Sequence, residues 1–258
     1  MNGEKLPDLV AIMQRLLGPK GCPWDREQTL HTLRAYVLEE AYEVADAIDR
    51  QDPELLREEL GDLLLQVVFQ AELARHKGWF DLSQVIEGIC HKLVRRHPHV
   101  FGDTPAESSQ EALASWESVK AMEKAGSAQG RLDSIPQSMP ALLRGFRIGE
   151  KAAAAGYDWL DASGARVKVN EELAELDEAV TSQDAGAIEE ELGDVLFALA
   201  SVARKHSIDP ESALRGTLRR FQERFVRVEE RARLECRELS SLTEQERDAW
   251  WQDAKRLS

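Results

Sequence analysis

Residues 53–71 read PELLREELGDLLLQVVFQA, and this stretch decides the fold class. Leu60, Leu63, Leu64, Val67, Val68 and Ala71 recur at i, i+3, i+4, i+7, i+8 and i+11, a spacing that lines one face of a helix. Asp52-Pro53 supplies an N-cap and a proline for the first turn, so the helix is expected to begin at Pro53 or Glu54. Leu33 to Asp49 reads as the preceding helix, and the short Arg50-Gln51-Asp52 connection makes the two antiparallel neighbours. A third helix is expected from about Leu82, capped by Asp81 or Ser83, to Arg96, where His97-Pro98-His99 ends it. Phe101 to Ser109 reads as a loop and Trp116 to Lys124 as a short helix. With no alternating strand of five or more residues, the chain reads as all-α.

The pattern then starts again. Leu38-Glu39-Glu40-Ala41-Tyr42-Glu43 matches Asn170-Glu171-Glu172-Leu173-Ala174-Glu175, and Glu58-Glu59-Leu60-Gly61-Asp62 matches Glu190-Glu191-Leu192-Gly193-Asp194, both at an offset of 132. That period is too long for a solenoid and right for a duplicated domain. Flanking matches need small shifts: Gly21-Cys22-Pro23-Trp24 against Gly156-Tyr157-Asp158-Trp159, Lys92 and Arg96 against Arg220 and Arg224, and Trp116 and Lys120 against Trp251 and Lys255. Gly126, Gly130, Pro136 and Pro140 mark the stretch between the copies. Two homologous helical domains are expected, 1–125 and 136–258, joined by a linker over 126–135.

Composition narrows the function classes. Lys and Arg number 33 against 47 Asp and Glu, a formal charge of -14, which disfavours an electrostatic grip on nucleic acid or an anionic membrane. At 43% hydrophobic and 31% charged the chain has the makings of a globular protein. Cys22, Cys90 and Cys236 are odd in number and widely spaced, so neither a disulfide framework nor a zinc knuckle is supported and a cytoplasmic location is expected. The uncharged run Leu63 to Ala71 falls well short of the ~18 residues of a membrane span.

The acids carry the chemistry. Each half has Glu-x-x-Glu and then Glu-x-x-Asp: Glu40, Glu43, Glu59 and Asp62, and again Glu172, Glu175, Glu191 and Asp194. Residues three apart share a helix face, and both pairs of a half lie roughly 8–10 Å from the turn at 1.5 Å per residue, so they are level with each other. Four converging carboxylates repel unless a cation neutralises them, and an all-oxygen set selects a hard ion, Mg²⁺ or Mn²⁺. Gly61 and Gly193 sit mid-helix, where glycine costs up to about 1 kcal/mol relative to alanine, and mark close approach of a ligand or tight packing of a helix.

These residues, with Gly21-Cys22-Pro23-Trp24-Asp25, Glu27-Gln28-Thr29, Arg57-Glu58-Glu59-Leu60-Gly61-Asp62-Leu63 and Arg95-Arg96-His97-Pro98-His99-Val100-Phe101, resemble the MazG-type nucleoside triphosphate pyrophosphohydrolases of the all-α NTP-pyrophosphatase superfamily. The resemblance implies Mg²⁺-dependent cleavage of (d)NTPs to (d)NMP and pyrophosphate, a broad nucleotide range, a housecleaning role and a homodimer with sites at packed helix interfaces. Matched residue by residue, it implies that Glu172, Glu175, Glu191 and Asp194 hold Mg²⁺ in the second half. Glu171 is the water-orienting base, with Glu190 as competitor, and Lys168, Arg220, Arg224 and Lys255 neutralise phosphates. Trp251 either stacks on a base or plugs the core. The first half keeps all four acids with Lys92, Arg96, Trp116 and Lys120, but Tyr36 stands where the second half has Lys168. The second half is therefore expected to be the stronger site, and the first a second active site, a scaffold or a regulatory metal site.

Rival readings are a narrower-range relative such as a dUTP hydrolase and a helical dimer that binds nucleotides without turning them over. A di-iron bundle wants Glu-x-x-His on its ligand helices, and the motifs here end in Glu or Asp.

Overall fold

The computed structural model describes residues 5–102, 105–124 and 130–256. Asp103 and Thr104 of the expected loop, and residues 125–129 at the expected linker, lie outside the described residues. Among the described residues every regular element is helical. The chain divides into two compact units, Met1–Ser127 and Ala128–Ser258.

The first unit holds α1 (Leu6–Leu17), α2 (Pro23–Glu27), α3 (Leu33–Arg50), α4 (Pro53–His76), α5 (Leu82–Arg96), α6 (Pro98–Phe101) and α7 (Ser109–Lys124). The second holds α8 (Ala141–Ala154), α9 (Ala162–Ser182), α10 (Ala185–Lys205), α11 (Pro210–Leu234), a short 3-10 turn (Leu239–Ser241) and α12 (Glu244–Arg256). The duplication is visible in the α3–α4 and α9–α10 hairpins, the most extensive helix pairings of their units. Each hairpin turns on a glutamine in the left-handed region, Gln51 at φ 55° and Gln183 at φ 58°. Each returning helix is capped by the next residue: Asp52 accepts from the Glu54 and Leu55 N–H groups, and Asp184 from those of Gly186 and Ala187. These caps satisfy otherwise orphaned donors and fix where α4 and α10 begin.

The first core gathers Met13 and Leu17 of α1, Leu33 of α3, and Val68 and Phe69 of α4. The predicted stripe on α4 is helical throughout, yet only its C-terminal part is covered: Val68 and Ala71 are buried, whereas Leu60, Leu64 and Val67 are exposed. Helix α5 buries no residue and leaves Val85, Ile86, Ile89 and Leu93 open along one side. In the second unit α8 lies close on α10. A Cβ at Gly145 would come within 3.2 Å of the Phe197 ring, and one at Gly149 within 2.8 Å of Arg204 Nε, so both positions require glycine or a shifted neighbour. Val228, Ala232, Leu242, Trp250 and Ala254 form a separate cluster between α11 and α12.

Two sequence expectations are corrected. Helix α7 begins at Ser109 rather than near Trp116, because Ser108 Oγ accepts from the Glu111 N–H while the Glu111 carboxylate accepts from the Glu107 N–H, and this start is strong enough to convert the polar run into helix. Phe101, placed in a loop, closes the short helix α6.

Candidate active site

The hairpins bring the acids together. In the first unit Glu40 on α3 and Glu59 and Asp62 on α4 present carboxylate oxygens that all lie within 4.8 Å of one another. In the second, Glu172 on α9 with Glu191 and Asp194 on α10 do the same. Glu175 joins Glu171 and Glu172 in an overlapping group of equal tightness. Glu43 stands beside the first group, its charge acting on both Glu40 and Glu59.

The electrostatics are those of crowded anions. Loss of water raises the Glu40 carboxyl above its ordinary range, and Asp62 and Glu43 push it further. Glu59 is raised by desolvation and then by Glu43, Asp62 and Glu58. Glu191 is raised by desolvation and then by Glu172, Asp194 and Glu190, and Glu175 by desolvation and its hydrogen bond with Glu172. Carboxylates that crowd one another in this way are relieved by a cation, and the all-oxygen donor set fits Mg²⁺ or Mn²⁺.

Lys168 is part of the second cluster. Its ammonium lies 2.8 Å from Glu171 Oε1 and 2.5 Å from Glu172 Oε1, and Glu172 is buried at 4% exposure. These two carboxylates drive the Lys168 pKa upward, with Glu171 first. The residue expected to meet phosphates thus rests on the acids. Glu190 is exposed and acts on Glu191 through its charge. Tyr36, the counterpart of Lys168, packs edge-on against Trp24 with ring centroids 6.2 Å apart.

The expected nucleotide-binding residues fall elsewhere in their units, on α5 and α7 and on α11 and α12. Arg96 Nε donates to Glu123 Oε2 at 3.1 Å, and its guanidinium lies 5.4 Å from the Trp116 ring, over which Lys120 also sits at 4.4 Å. Arg96 and Arg95 hold the Glu123 carboxyl down to about 2. Lys92 is exposed on the same helix. In the second unit Arg220 donates to Thr217 Oγ1 at 3.0 Å, with Arg224 one turn on, and Lys255 is exposed on α12. Trp251 packs on Phe221 at 4.9 Å and against the α11–α12 cluster, which favours the core alternative for this side chain. The principal packing of α3 is with α4 and that of α9 with α10, so the cationic helices are not assembled over the acids by extensive packing within a unit.

Sequence reasoning missed two polar residues. Glu123, the shared partner of Arg95 and Arg96, gave no signal beyond a charge on α7. Gln66 did give one, since it interrupts the apolar run of α4 one turn beyond Asp62; its side chain is 7% exposed and hydrogen-bonds toward Glu40. Gly61 and Gly193 are also clarified: a Cβ at either would meet nothing within 4 Å among the described residues, so tight helix packing within its own unit does not account for either glycine.

An all-α chain carrying the same two-helix carboxylate cluster twice is a duplicated helical protein with two candidate acidic sites, and the comparisons specify the class. The MazG nucleotide pyrophosphohydrolase domain matches residues 28–101 and again residues 165–228. The chain is similar to the nucleoside triphosphate pyrophosphohydrolase/pyrophosphatase MazG of Thermotoga maritima, at 44% identity over 253 residues, 98% of this chain and 96% of that protein. It is equally similar to the nucleoside triphosphate pyrophosphohydrolase of Escherichia coli K12, at 44% identity over 98% of both chains. The chain belongs to the MazG nucleotide pyrophosphohydrolase family, and it is a hydrolase.

Proposed function

We propose that the protein hydrolyses (d)NTPs to (d)NMP and pyrophosphate with Mg²⁺, over a broad range of bases and as a guard of the nucleotide pool. The convergence of Glu172, Glu191 and Asp194 across one hairpin is the observation that carries this reading. When bound, Mg²⁺ supplies neutralisation of the acids and of the polyphosphate together with polarisation of the α-phosphoryl group. Glu172, Glu175, Glu191 and Asp194 are its ligands in the second unit, and Glu40, Glu43, Glu59 and Asp62 in the first.

The remaining chemistry belongs to the side chains. Water attacks the α-phosphorus, the bond to the α–β bridging oxygen breaks, and pyrophosphate leaves with the electron pair. Glu171, adjacent to the ligand Glu172, takes the proton from the water, and Glu190 is the alternative base. Lys168, rooted on the same turn, is within reach of both the carboxylates and an incoming phosphate. Arg220, Arg224 and Lys255 neutralise the departing pyrophosphate, and Lys92, Arg96, Trp116 and Lys120 are the first-unit counterparts.

A homodimer is part of the proposal. Leu60, Leu64 and Val67 on α4, Ile86, Ile89 and Leu93 on α5, and Leu214, Leu218 and Phe221 on α11 are exposed apolar residues at helical spacing, the kind of surface a second copy covers. Pairing of copies would also supply the cationic helices that extensive packing within a unit does not bring over the acids. A cytoplasmic site of action fits the free cysteines Cys22, Cys90 and Cys236, and no helix among the described residues is long and apolar enough to cross a membrane.

Product analysis on a panel of NTPs and dNTPs, with Mg²⁺ and with chelator, tests the reading. Release of NMP and pyrophosphate that is abolished by chelator and by Glu172→Ala or Asp194→Ala is expected. Saturable nucleotide binding without pyrophosphate would replace the enzyme by a binding module, and turnover of one base alone would replace the broad range by a narrow one.

A further inference from the structure

The two carboxylate clusters differ in what balances them. In the second unit Lys168 already sits on Glu171 and Glu172, an internal cation at the place where a metal would bind. In the first unit Tyr36 occupies that position, and the charges that act on Glu40 and Glu59 are all negative. The first unit also has a donor that the second lacks. Gln66 follows Asp62 by one turn on α4, placing Glu59, Asp62 and Gln66 at i, i+3 and i+7 on one face. It is buried at 7% exposure, it hydrogen-bonds toward Glu40, and its Oε1 has no hydrogen-bond partner. Its counterpart at the 132-residue offset is Ala198, a buried methyl group.

A buried amide oxygen without a donor costs free energy unless something electropositive meets it. The same amide reaches Glu40 through its N–H end, and once it turns its oxygen toward the three converging carboxylates a hard divalent cation, or a water bound to it, satisfies that oxygen and cancels the repulsion in one event. In the second unit a metal must first displace Lys168 from Glu172, and a polyphosphate gives that ammonium a new anionic partner.

We infer that the first-unit cluster is a standing divalent-cation site that fills without nucleotide, with Gln66 as its added oxygen donor, whereas the second-unit cluster takes its metal together with the nucleotide. This inference rests on the proposed assignment of both clusters as metal sites and concerns the order in which they fill. Lys168 acts as a resident counter-ion that keeps the second cluster folded and level until substrate arrives. The first site then holds its hairpin rigid in every state of the enzyme.

Titration of the full chain with Mn²⁺ alone, read by electron paramagnetic resonance and calorimetry, tests this directly. One Mn²⁺ per chain is expected, lost in Asp62→Asn and kept in Asp194→Asn. Adding an α,β-non-hydrolysable nucleotide should bring in further Mn²⁺ that Asp194→Asn removes. Gln66→Leu should weaken the nucleotide-free site about tenfold or more, the size of an outer-ligand loss, and Gln66→Glu should restore or exceed wild-type binding in a chain of equal thermal stability. Lys168→Met should let the second site fill without nucleotide, and Tyr36→Lys should weaken the first. Two equal sites in the nucleotide-free protein, uptake indifferent to Asp62→Asn, or titrations unmoved by the Gln66 and Lys168 changes would overturn the order of filling. Absence of bound Mn²⁺ both with and without nucleotide would instead overturn the metal assignment itself.

Discussion

Asp158 offers a sharp test of how the second unit is held together. Its carboxylate accepts from Arg204 Nη1 at 3.0 Å and Nη2 at 2.5 Å and from Lys205 Nζ at 2.8 Å, tying the loop before α9 to the end of α10. The Arg204 and Lys205 side chains are 10% and 13% exposed and Asp158 21%, so solvent screens the group only partly. Asp158→Asn keeps the shape and leaves two adjacent cations without their counter-charge. Removing one partner of a buried ion pair costs about 3–5 kcal/mol and breaking an exposed pair no more than about 1 kcal/mol; the partly exposed Asp158 with its two largely covered cations sets the expectation between them, about 2 kcal/mol. With a urea dependence of about 2 kcal/mol per molar, the midpoint of the second unit should fall by about 1 M.

The pH dependence supplies a second signature. Arg204 first, and then Lys205, hold the Asp158 carboxyl well below the ordinary carboxylate range, against its own desolvation. A folded-state pKa below the unfolded one gives stability that is complete above the unfolded value, about 3.9, and is lost as pH falls through the folded value. The gap between wild type and Asp158→Asn should therefore be constant from pH 7 down to about pH 5 and narrow only in stronger acid. Urea unfolding at pH 7, 5 and 3 measures it. A penalty under about 1 kcal/mol at pH 7 would mean an ordinary surface pair and would refute the reasoning.

Removing the hairpin caps with Asp52→Ala and Asp184→Ala should cost about 1 kcal/mol each, measured as a loss of thermal or urea stability, because each carboxylate serves two N–H groups of an opening turn. Gly61→Ala and Gly193→Ala should each raise stability by about 0.5–1 kcal/mol, since the added methyl meets nothing within 4 Å among the described residues. A loss of stability in urea unfolding would mean that another surface closes on those glycines. Trp251→Ala should destabilise the α11–α12 cluster by about 3 kcal/mol and Trp251→Phe should recover most of it; an unchanged melting curve with a raised KM would return Trp251 to a base-stacking role.

Much of the hairpin is legible in the sequence, and the reason is local. The period of 53–71, the Asp52-Pro53 start and the paired acids depend on contacts a few residues apart, so spacing alone places Glu40, Glu59 and Asp62 on facing helix surfaces. The resting place of Lys168 was less accessible, because its reach covers both a carboxylate one turn away and a phosphate that no sequence displays. Trp251 offered both a base platform and a core plug to the sequence, and its contact with Phe221, made across two helices, is a feature that local spacing does not display. The early start of α7 was overlooked because serines and a glutamate read as loop composition, although Ser108 and Glu111 stand three apart in the order that begins a helix. The exposure of Leu60 and Leu64 was equally hidden: periodicity tells which residues share a face, and says nothing about whether the chain itself covers that face.

The offset between the two hairpins is constant from Leu38 to Asp62, although the flanking matches drift by several residues. One inserted residue between the acid pairs would turn the second pair by about 100° around its helix and lift it by about 1.5 Å, taking it out of line with the first. The hairpin thus works as a ruler with no tolerance along its measured length, while its ends are free to be trimmed or extended. Anyone recombining the two units, or grafting the site onto another scaffold, should cut outside that interval and keep the spacing of about three turns from glutamine elbow to carboxylate in both arms unaltered, whatever happens to the helices beyond.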